Sequence, residues 1–274
     1  MKVGFFYTPE QPDVHRLALK ALCSGVSKQE EVFLEYNGEY RPCDLAVTWS
    51  IYKTRLPSTK NREVIHREQK SLGKKVIVIE KGYINRNKYY SVGYDSQNGW
   101  ANFRNKDMPS DRFHALGVEL KEYRKRGSHI LLCGQVPWDT SVQHLDYEEW
   151  CRSIVGEIKK HTNRPIIFRP HPLAAGAFTQ IAGAKTSNKK TLEEDLEDCW
   201  AAVSYNSNAL VLAAIKGIPI FACSDGSMAL EISEDFVDLD NPKLYNREQW
   251  AYNIAYSQWT LDEMRSGRTW EHLK

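Results

Sequence analysis

Short apolar runs alternate with amphipathic segments along the 274 residues of this chain. Continuous apolar runs are typical of strands buried on both faces of a parallel sheet, and apolar positions three or four residues apart are typical of helices. Together they predict an α/β fold. The predicted strands cover residues 3–7, 32–36, 45–49, 76–79, 89–94, 129–133, 166–168, 201–204 and 218–222, and the predicted helices cover 13–26, 59–72, 111–126, 147–161, a segment from Thr191, 208–216 and the tail from Arg247.

The order of these elements divides the chain into three parts. Residues 97–112 are rich in Asn, Gly, Asp and Pro, which favours a loop at a domain boundary or crossover. We expect a first doubly wound domain over residues 1–125 and a second over residues 126–245. Residues 246–274 are expected to form helices that pack back on the first domain.

Composition excludes several classes of protein. Hydrophobic residues make up 42% of the chain and charged residues 26%, which is ordinary for a globular protein. No run of about eighteen apolar residues occurs, so no transmembrane helix is predicted, and the N-terminus lacks a signal-peptide pattern. The six cysteines are scattered without a Cys-x-x-Cys pair, which argues against a zinc site and for reduced thiols in a cytoplasm.

Charge is distributed unevenly along the chain. The formal net charge is only +2, but residues 50–130 contain 18 Lys and Arg against 8 Asp and Glu. Such an excess favours a polyanionic partner for this region, and a solvated basic face without a partner is the alternative.

Polar residues follow three of the predicted strands in the second half. Ligands bind at the carboxyl ends of the strands in open parallel sheets. Arg and His side chains and the free N–H groups at the start of a helix suit a phosphate group, so the three strand ends predict a site for a nucleotide monophosphate or diphosphate. Each of them alone is typical of a surface loop or a helix cap. The residues are Gly134, Gln135, Arg169, His171, Ser204, Asn206, Ser207 and Asn208.

Four segments resemble the capsular polysaccharide glycosyltransferases, a group that includes Kdo transferases. Residues 130–142 resemble their Gly-Gln-Val…Asp-x-Ser stretch, and residues 169–172, Arg-Pro-His-Pro, resemble their basic-Pro-His-Pro motif. Residues 204–219 are similar to their Ser-rich helix start with a downstream Gly-x-Pro, and residues 80–86 are weakly similar to their Glu-Asp-Gly-Phe…Arg segment. The resemblance covers about residues 76–222, and the short chain is similar to compact enzymes of large bacteriophages.

This resemblance implies a GT-B fold, with two Rossmann-like domains facing across a cleft. The first domain would bind the acceptor and the second a nucleotide-sugar donor, a UDP- or CMP-sugar. No metal and no permanently bound cofactor is expected, since no His or carboxylate cluster has ligand spacing. The resemblance assigns donor binding to Gly134, Gln135, His171, Ser204 and Ser207, and the chemistry of the strand ends adds Arg169, Asn206 and Asn208.

One position departs from the family pattern. The related segments carry an Asp after the Glu, and that Asp is a candidate general base, whereas this chain has Lys81 there. An inverting transfer needs a carboxylate or His to take the proton from the acceptor hydroxyl. The candidates are Glu80, at the end of a predicted strand, and Asp95, in a polar loop where it is equally typical of a turn. The departure leaves the base and the transferred sugar open.

Aromatic residues interleave with the cations of the basic region and suggest an acceptor. Cations can follow a phosphate backbone while aromatic rings stack on an extruded base. With the bacteriophage-like chain length, this favours sugar transfer to a 5-hydroxymethylpyrimidine such as hydroxymethylcytosine in DNA, in the host cytoplasm. A surface glycan or lipid acceptor and a non-catalytic nucleotide-binding module are the alternatives. We expect Arg86, Tyr94 and Trp100 to contact the acceptor, among aromatic residues that also include Tyr83, Tyr89, Tyr90 and Phe103.

Overall fold

A computed structural model describes residues 1–37, 39–51, 59–174, 176, 178 and 180–274. The chain divides into two compact units, the first formed by Met1–Leu116 with Tyr252–Lys274 and the second by Gly117–Ala251. Each unit contains one largely parallel sheet with helices packed on it. The C-terminal segment from Tyr252 belongs to the first unit. Two cations of the basic region, Lys53 and Arg55, lie outside the described residues.

The described strands and helices follow one another in a regular order. In the first unit they are β1 (Lys2–Phe6), α1 (Asp13–Val26), β2 (Glu31–Glu35), β3 (Leu45–Trp49), α2 (Lys60–Ser71), β4 (Lys75–Lys81), β5 (Tyr89–Tyr94) and α3 (Asp111–Ala115). In the second they are β6 (His129–Cys133), α4 (Tyr147–His161), β7 (Ile166–Arg169), β8 (Lys185–Thr186), α5 (Leu192–Leu196), β9 (Cys199–Ser204), α6 (Ala209–Ile215) and β10 (Ile220–Ala222). The last four are α7 (Glu248–Tyr256), β11 (Gln258–Thr260), α8 (Leu261–Ser266) and α9 (Arg268–Leu273).

The sheet of the first unit has the strand order β11-β5-β4-β3-β1-β2. Strands β1 to β4 are parallel, whereas β5 is antiparallel to β4 and β11 is antiparallel to β5. Helix α1 packs on this sheet through apolar residues such as Leu19 and Leu22, which are fully buried. Gly25 allows close contact with α8, since a Cβ there would lie 2.0 Å from the carbonyl oxygen of Met264. The C-terminal segment therefore extends the sheet and also packs on α1.

The sheet of the second unit is entirely parallel, with the order β10-β9-β6-β7-β8. Strand β6 lies at its centre, and Ile130, Leu131 and Leu132 are fully buried there. Helix α4 packs on this sheet through one apolar face that includes Val155 and Ile158. Because β6 lies between β7 and β9, the carboxyl ends of these three strands are neighbours at one edge.

The predicted helix over residues 111–126 is wrong beyond its first turn. Helix α3 ends at Ala115, and Gly117 has a left-handed φ of 67° that favours glycine and ends the helix. The following backbone bonds to the end of α6 instead, where the N–H of Lys121 donates to the carbonyl of Ile215 at 2.9 Å. The predicted helical tail is also interrupted by β11. None of the helices in the described part of the chain is both long and apolar enough to cross a membrane.

Candidate functional site

The carboxyl ends of β7, β6 and β9 bring the predicted donor-binding residues to one edge of the second sheet. Cys133 at the end of β6 pairs with Arg169 at the end of β7. On the other side, the hydroxyl of Ser204 in β9 donates to the carbonyl of Cys133 at 2.7 Å. Because neighbouring strands lie about 4.8 Å apart, the ends of β7 and β9 are separated by about 10 Å. The edge is therefore wide enough for a nucleotide.

Gly134 lets the ends of β6 and β7 approach closely. Its N–H donates to the carbonyl of Arg169 at 2.8 Å. A Cβ at this position would lie 2.9 Å from the carbonyl oxygen of Arg169 and 3.0 Å from the ring of Phe168. The residue at 134 must therefore be small for packing reasons, whether or not a ligand contacts its backbone.

Gln135 and Asn206 form a reciprocal amide pair across the edge. Nε2 of Gln135 donates to Oδ1 of Asn206 at 2.7 Å, and the backbone N–H of Asn206 donates to Oε1 of Gln135 at 3.0 Å. The backbone N–H of Gln135 also donates to the hydroxyl of Tyr147, and its Nε2 donates to the hydroxyl of Ser141. Asn206 is only 6% exposed, and its Nδ2 has no hydrogen-bond partner among the residues that the structure describes. A buried donor without a partner indicates that a polar ligand or water completes it.

The remaining polar residues of the β9–α6 loop have local partners. Ser204 is fully buried, and its hydroxyl is engaged by the strand contact to Cys133. The hydroxyl of Ser207 accepts from the N–H of Ala209 at 3.2 Å. Asn208 is the N-cap of α6, but its side chain makes no capping hydrogen bond. Ser207 and Asn208 are partly exposed at this edge, so both remain accessible.

Arg169 is held by its own unit. Its guanidinium forms an ion pair with Asp195 at 2.5 Å and donates to the carbonyls of Lys189 and Lys190 at 3.3 and 3.2 Å. The carboxylate of Asp195 also accepts from the hydroxyl of Ser187, at 2.6 and 2.8 Å. Both charged side chains are largely buried, at 12% and 4% exposed. The structure thus gives Arg169 a neutralising partner and ties the loop before α5 to β7.

His171 lies two residues beyond β7 and is half-buried. Its Nδ1 accepts from the backbone N–H of Leu173 at 3.2 Å. Because Nδ1 is the acceptor, the neutral imidazole carries its proton on Nε2. In that form Nε2 is the hydrogen-bond donor of His171, which lies in the loop that follows β7.

The structure separates the two predicted bases, which lie at opposite ends of β4. Glu80 is next to last in β4, at the carboxyl end of that parallel strand. Asp95 comes after β5, which runs back antiparallel, so its backbone N–H donates to the carbonyl of Val76 at 2.7 Å. One carboxylate oxygen of Asp95 accepts from the N–H of Val76 at 3.0 Å. Glu80 therefore lies at the carboxyl edge of the sheet, whereas Asp95, with a positive φ of 65°, closes a turn at the opposite edge.

Burial changes the interpretation of the aromatic residues in the basic region. Tyr94 is 6% exposed, and its hydroxyl donates to the carbonyl of Leu273 at 3.0 Å. Arg86 is exposed and Trp100 is partly exposed, so these two remain open to a ligand. The expectation that the aromatic set stacks on extruded bases is wrong for the residues that are buried in the first unit: Tyr83, Tyr89, Tyr90, Tyr94 and Phe103.

A second polar group lies in the first unit and was not predicted from the sequence. His15 of α1 stacks on Trp49 at the end of β3, with ring centroids 3.9 Å apart. Burial first, and then the positive charges of Arg62 and Lys81, lower the pKa of His15 to about 4. The signal that could have found it is the same as for the predicted donor site: His15 lies in the first turn of the helix that follows a buried strand. In the described part of the chain, no three His, Cys, Asp or Glu side chains are grouped to hold a metal ion.

Solved structures give the fold of this chain independent support. No protein-family model and no curated protein sequence matches it. The structure is similar to the β-Kdo 2,4 transferase of Thermosulfurimonas dismutans KpsC, with a TM-score of 0.59 and 11% identity, over 94% of this chain and 91% of that one. It is also similar to the β-Kdo 2,7 transferase of the same KpsC, with a TM-score of 0.57 and 10% identity, over 96% of this chain and 97% of that one. At these identities the similarity shows the fold, an α/β chain of GT-B type with two Rossmann-like units.

Proposed function

We propose that this chain is a glycosyltransferase that moves a sugar from a nucleotide-sugar to a hydroxyl acceptor. The observation that carries the proposal is the buried and unpartnered Nδ2 of Asn206, held by Gln135 at the carboxyl edge of the second sheet. A donor held at this edge would accept that hydrogen bond. The fold shared with two Kdo transferases supports the same reaction class.

The edge residues divide into two roles in this proposal. Asn206, Ser207, Asn208 and His171 contact the donor, a UDP- or CMP-sugar. Gly134, Gln135 and Ser204 set the spacing of the strand ends on which those contacts depend. Arg169 acts through its ion pair with Asp195, so it positions the loop next to the donor. Donor phosphates are held by neutral N–H donors here, without a metal ion.

A glycan or lipid hydroxyl is the acceptor that we propose ahead of a 5-hydroxymethylpyrimidine in DNA. The DNA hypothesis rests on the excess of cations over residues 50–130 and on stacking by aromatic residues. Most of those rings are buried in the first unit, which removes the second support. Several of the cations also lie over buried rings, such as Lys81 over Tyr90 and Arg104 over Tyr94.

Nucleotide binding tests the proposal directly. By calorimetry, we expect the chain to bind CMP or UDP, equally well with and without EDTA. Asn206→Ala removes one hydrogen bond to the ligand, worth about 1–1.5 kcal/mol, so Kd should rise about tenfold. Asn241→Ala, at an exposed turn of the same unit, is the matched control and should bind normally.

Sugar release separates the possible activities. CMP- and UDP-sugars are supplied alone, with oligosaccharide or glycolipid acceptors, and with hydroxymethylated duplex DNA. Transfer to a glycan or lipid supports the proposal, and transfer to DNA alone would establish the acceptor that the sequence favours. Nucleotide binding without any sugar release indicates a non-catalytic module. No binding of any nucleotide, or equal binding by Asn206→Ala, contradicts the proposal.

A further inference from the structure

The carboxyl edge of the first sheet carries a second group of polar side chains. Strands β1, β3 and β4 are neighbours and parallel, so they end side by side. Thr8 follows β1, and Glu80 and Lys81 end β4. His15 lies in the first turn of α1, the helix that follows β1. By the rule for parallel sheets, this edge is the place where the unit binds a ligand.

The ring of His15 is fixed on one face of this sheet. It stacks on the ring of Trp49, with an angle of 11° between the planes. Trp49 meets Tyr90 edge-on at 6.1 Å, and Nζ of Lys81 lies 4.9 Å from the centre of the Tyr90 ring. His15 and Lys81 therefore share the face on which α1 packs.

Glu80 lies on the other face of β4. Side chains alternate along a strand, so Glu80 shares a face with Val76 and Val78, whereas Lys81 shares the opposite face with Ile79. Val76 and Val78 belong to the apolar cluster on the α2 side of the sheet, which contains Ile65. The negative charge of Glu80 also acts on Arg62, whose pKa is lowered by burial. Glu80 thus lies on the α2 face next to Arg62, the residue of α2 whose charge also acts on His15.

Several buried polar atoms at this edge have no partner within the described residues. The four residues that carry them come from the β1–α1 connection, from α1 and from α2, and three of them are less than 9% exposed. Buried polar atoms are almost always paired, so a group of unpaired ones indicates a place where a polar ligand or water completes them. They are Oγ1 of Thr8, Oε1 of Gln11, Nδ1 of His15 and Nε of Arg62.

We propose that His15 takes the proton from the acceptor hydroxyl in the transfer reaction, at a polar acceptor site formed by Thr8, Gln11 and Arg62. This inference rests on the proposed function. As the acceptor oxygen forms its bond to the anomeric carbon, its proton passes to the imidazole. The bond from the anomeric carbon to the phosphate oxygen breaks, and its electron pair leaves with the nucleotide. The imidazolium then loses the proton to water.

The charges around His15 suit this role at neutral pH. Arg62 from α2 and Lys81 from β4 are the charged groups that act on the imidazole, and both oppose its protonation. The ring is therefore neutral before the acceptor binds. Its basicity is similar to that of an ordinary carboxylate, the usual alternative for such a base.

Replacement of His15 separates this role from donor binding. The transfer rate, sugar release to water and nucleotide affinity are measured for His15→Gln, for Glu80→Gln and for the control His161→Gln, at the end of α4. We expect kcat of His15→Gln to fall by about 10²–10⁴, with the nucleotide Kd unchanged. The other two variants should keep most of the activity. Added imidazole should restore part of the rate to His15→Ala, which a purely structural role would not allow.

Each alternative outcome has a distinct meaning. A His15→Gln variant that keeps more than a tenth of the wild-type kcat overturns the inference, as does a large loss in Glu80→Gln alone. If the variants do not fold, the wild-type pH profile decides, and a kcat/KM without an acid limb excludes His15. A wild-type chain that binds nucleotide but releases no sugar contradicts both this inference and the proposed reaction. A wild-type chain that binds no nucleotide contradicts the proposed donor site, and with it the reaction on which this inference rests.

Discussion

Replacement of Arg169 distinguishes a structural cation from a phosphate-binding one. Arg169→Met keeps the apolar stem of the side chain but removes the guanidinium from Asp195. The carboxylate of Asp195 is only 4% exposed and would keep the hydroxyl of Ser187 as its donor. The carbonyls of Lys189 and Lys190 would also lose their donors. Most of the expected loss in unfolding free energy comes from leaving the buried carboxylate of Asp195 without its counter-charge.

The expected loss of stability is large. Breaking a buried ion pair by removing one partner costs about 3–5 kcal/mol, and the remaining Ser187 hydrogen bond places this case near the lower limit, at about 3 kcal/mol. The double variant Arg169→Met with Asp195→Leu removes both charges and should recover most of that loss. Urea unfolding followed by circular dichroism measures both. With an m-value of about 2 kcal/mol/M, the midpoint of the single variant should fall by about 1.5 M.

Nucleotide affinity tests whether the guanidinium of Arg169 contacts the donor directly. If Arg169 acts through Asp195, folded Arg169→Met protein at low temperature should bind CMP or UDP with a Kd within about threefold of wild type, well below the factor of ten for one lost charged contact. A loss of stability below about 1 kcal/mol together with a Kd increase above tenfold would refute the reasoning. It would show that the guanidinium leaves Asp195 to hold the donor.

Two further predictions concern glycine packing and pH. Gly25→Ala should destabilise the chain by at least about 1–3 kcal/mol, because its Cβ would overlap the backbone of α8. Gly156→Ala, in open space on α4, should instead stabilise it by about 0.5–1 kcal/mol. Equal changes in unfolding free energy, measured by urea unfolding, would contradict the close contact at Gly25. The unfolding free energy should fall as the pH drops from about 6.5 to 4, since the unfolded chain binds a proton at His15 before the folded chain does. That single group contributes less than about 3 kcal/mol, because solvent screens a half-buried ring, so His15→Gln should show a flatter pH dependence. An identical slope would exclude the lowered pKa.

The grouping of polar residues at the carboxyl edge of the second sheet was predictable because a parallel sheet aligns its strand ends. Residues 129–133, 166–168 and 201–204 are apolar without alternation, as expected for strands buried on both faces. Whatever their order, parallel strands bring their carboxyl ends to one edge. The partner of Arg169 was not predictable in this way, because Asp195 lies in helix α5 and reaches β7 only through tertiary packing.

The aromatic residues of the basic region show the opposite case. Their alternation with Lys and Arg was compatible with an exposed nucleic-acid surface. In the structure, β5 is covered by the C-terminal segment, as shown by the hydrogen bond from Tyr94 to Leu273 and by the pairing of β11 with β5. A segment more than a hundred residues away thus decides whether these rings are buried, and local sequence carries no signal of it.

Strand direction explains why only one of the two predicted bases lies at the carboxyl edge of the first sheet. Glu80 and Asp95 are close in sequence and similar in chemistry, but the reversal of the chain at β5 carries Asp95 back to the amino end of β4. The same rule points to His15, because a helix that follows a parallel strand begins at the carboxyl edge. Side-chain alternation then separates Glu80 from His15 across the sheet. The sequence supplies candidate groups, and the direction and faces of the strands decide which of them can act on the same acceptor.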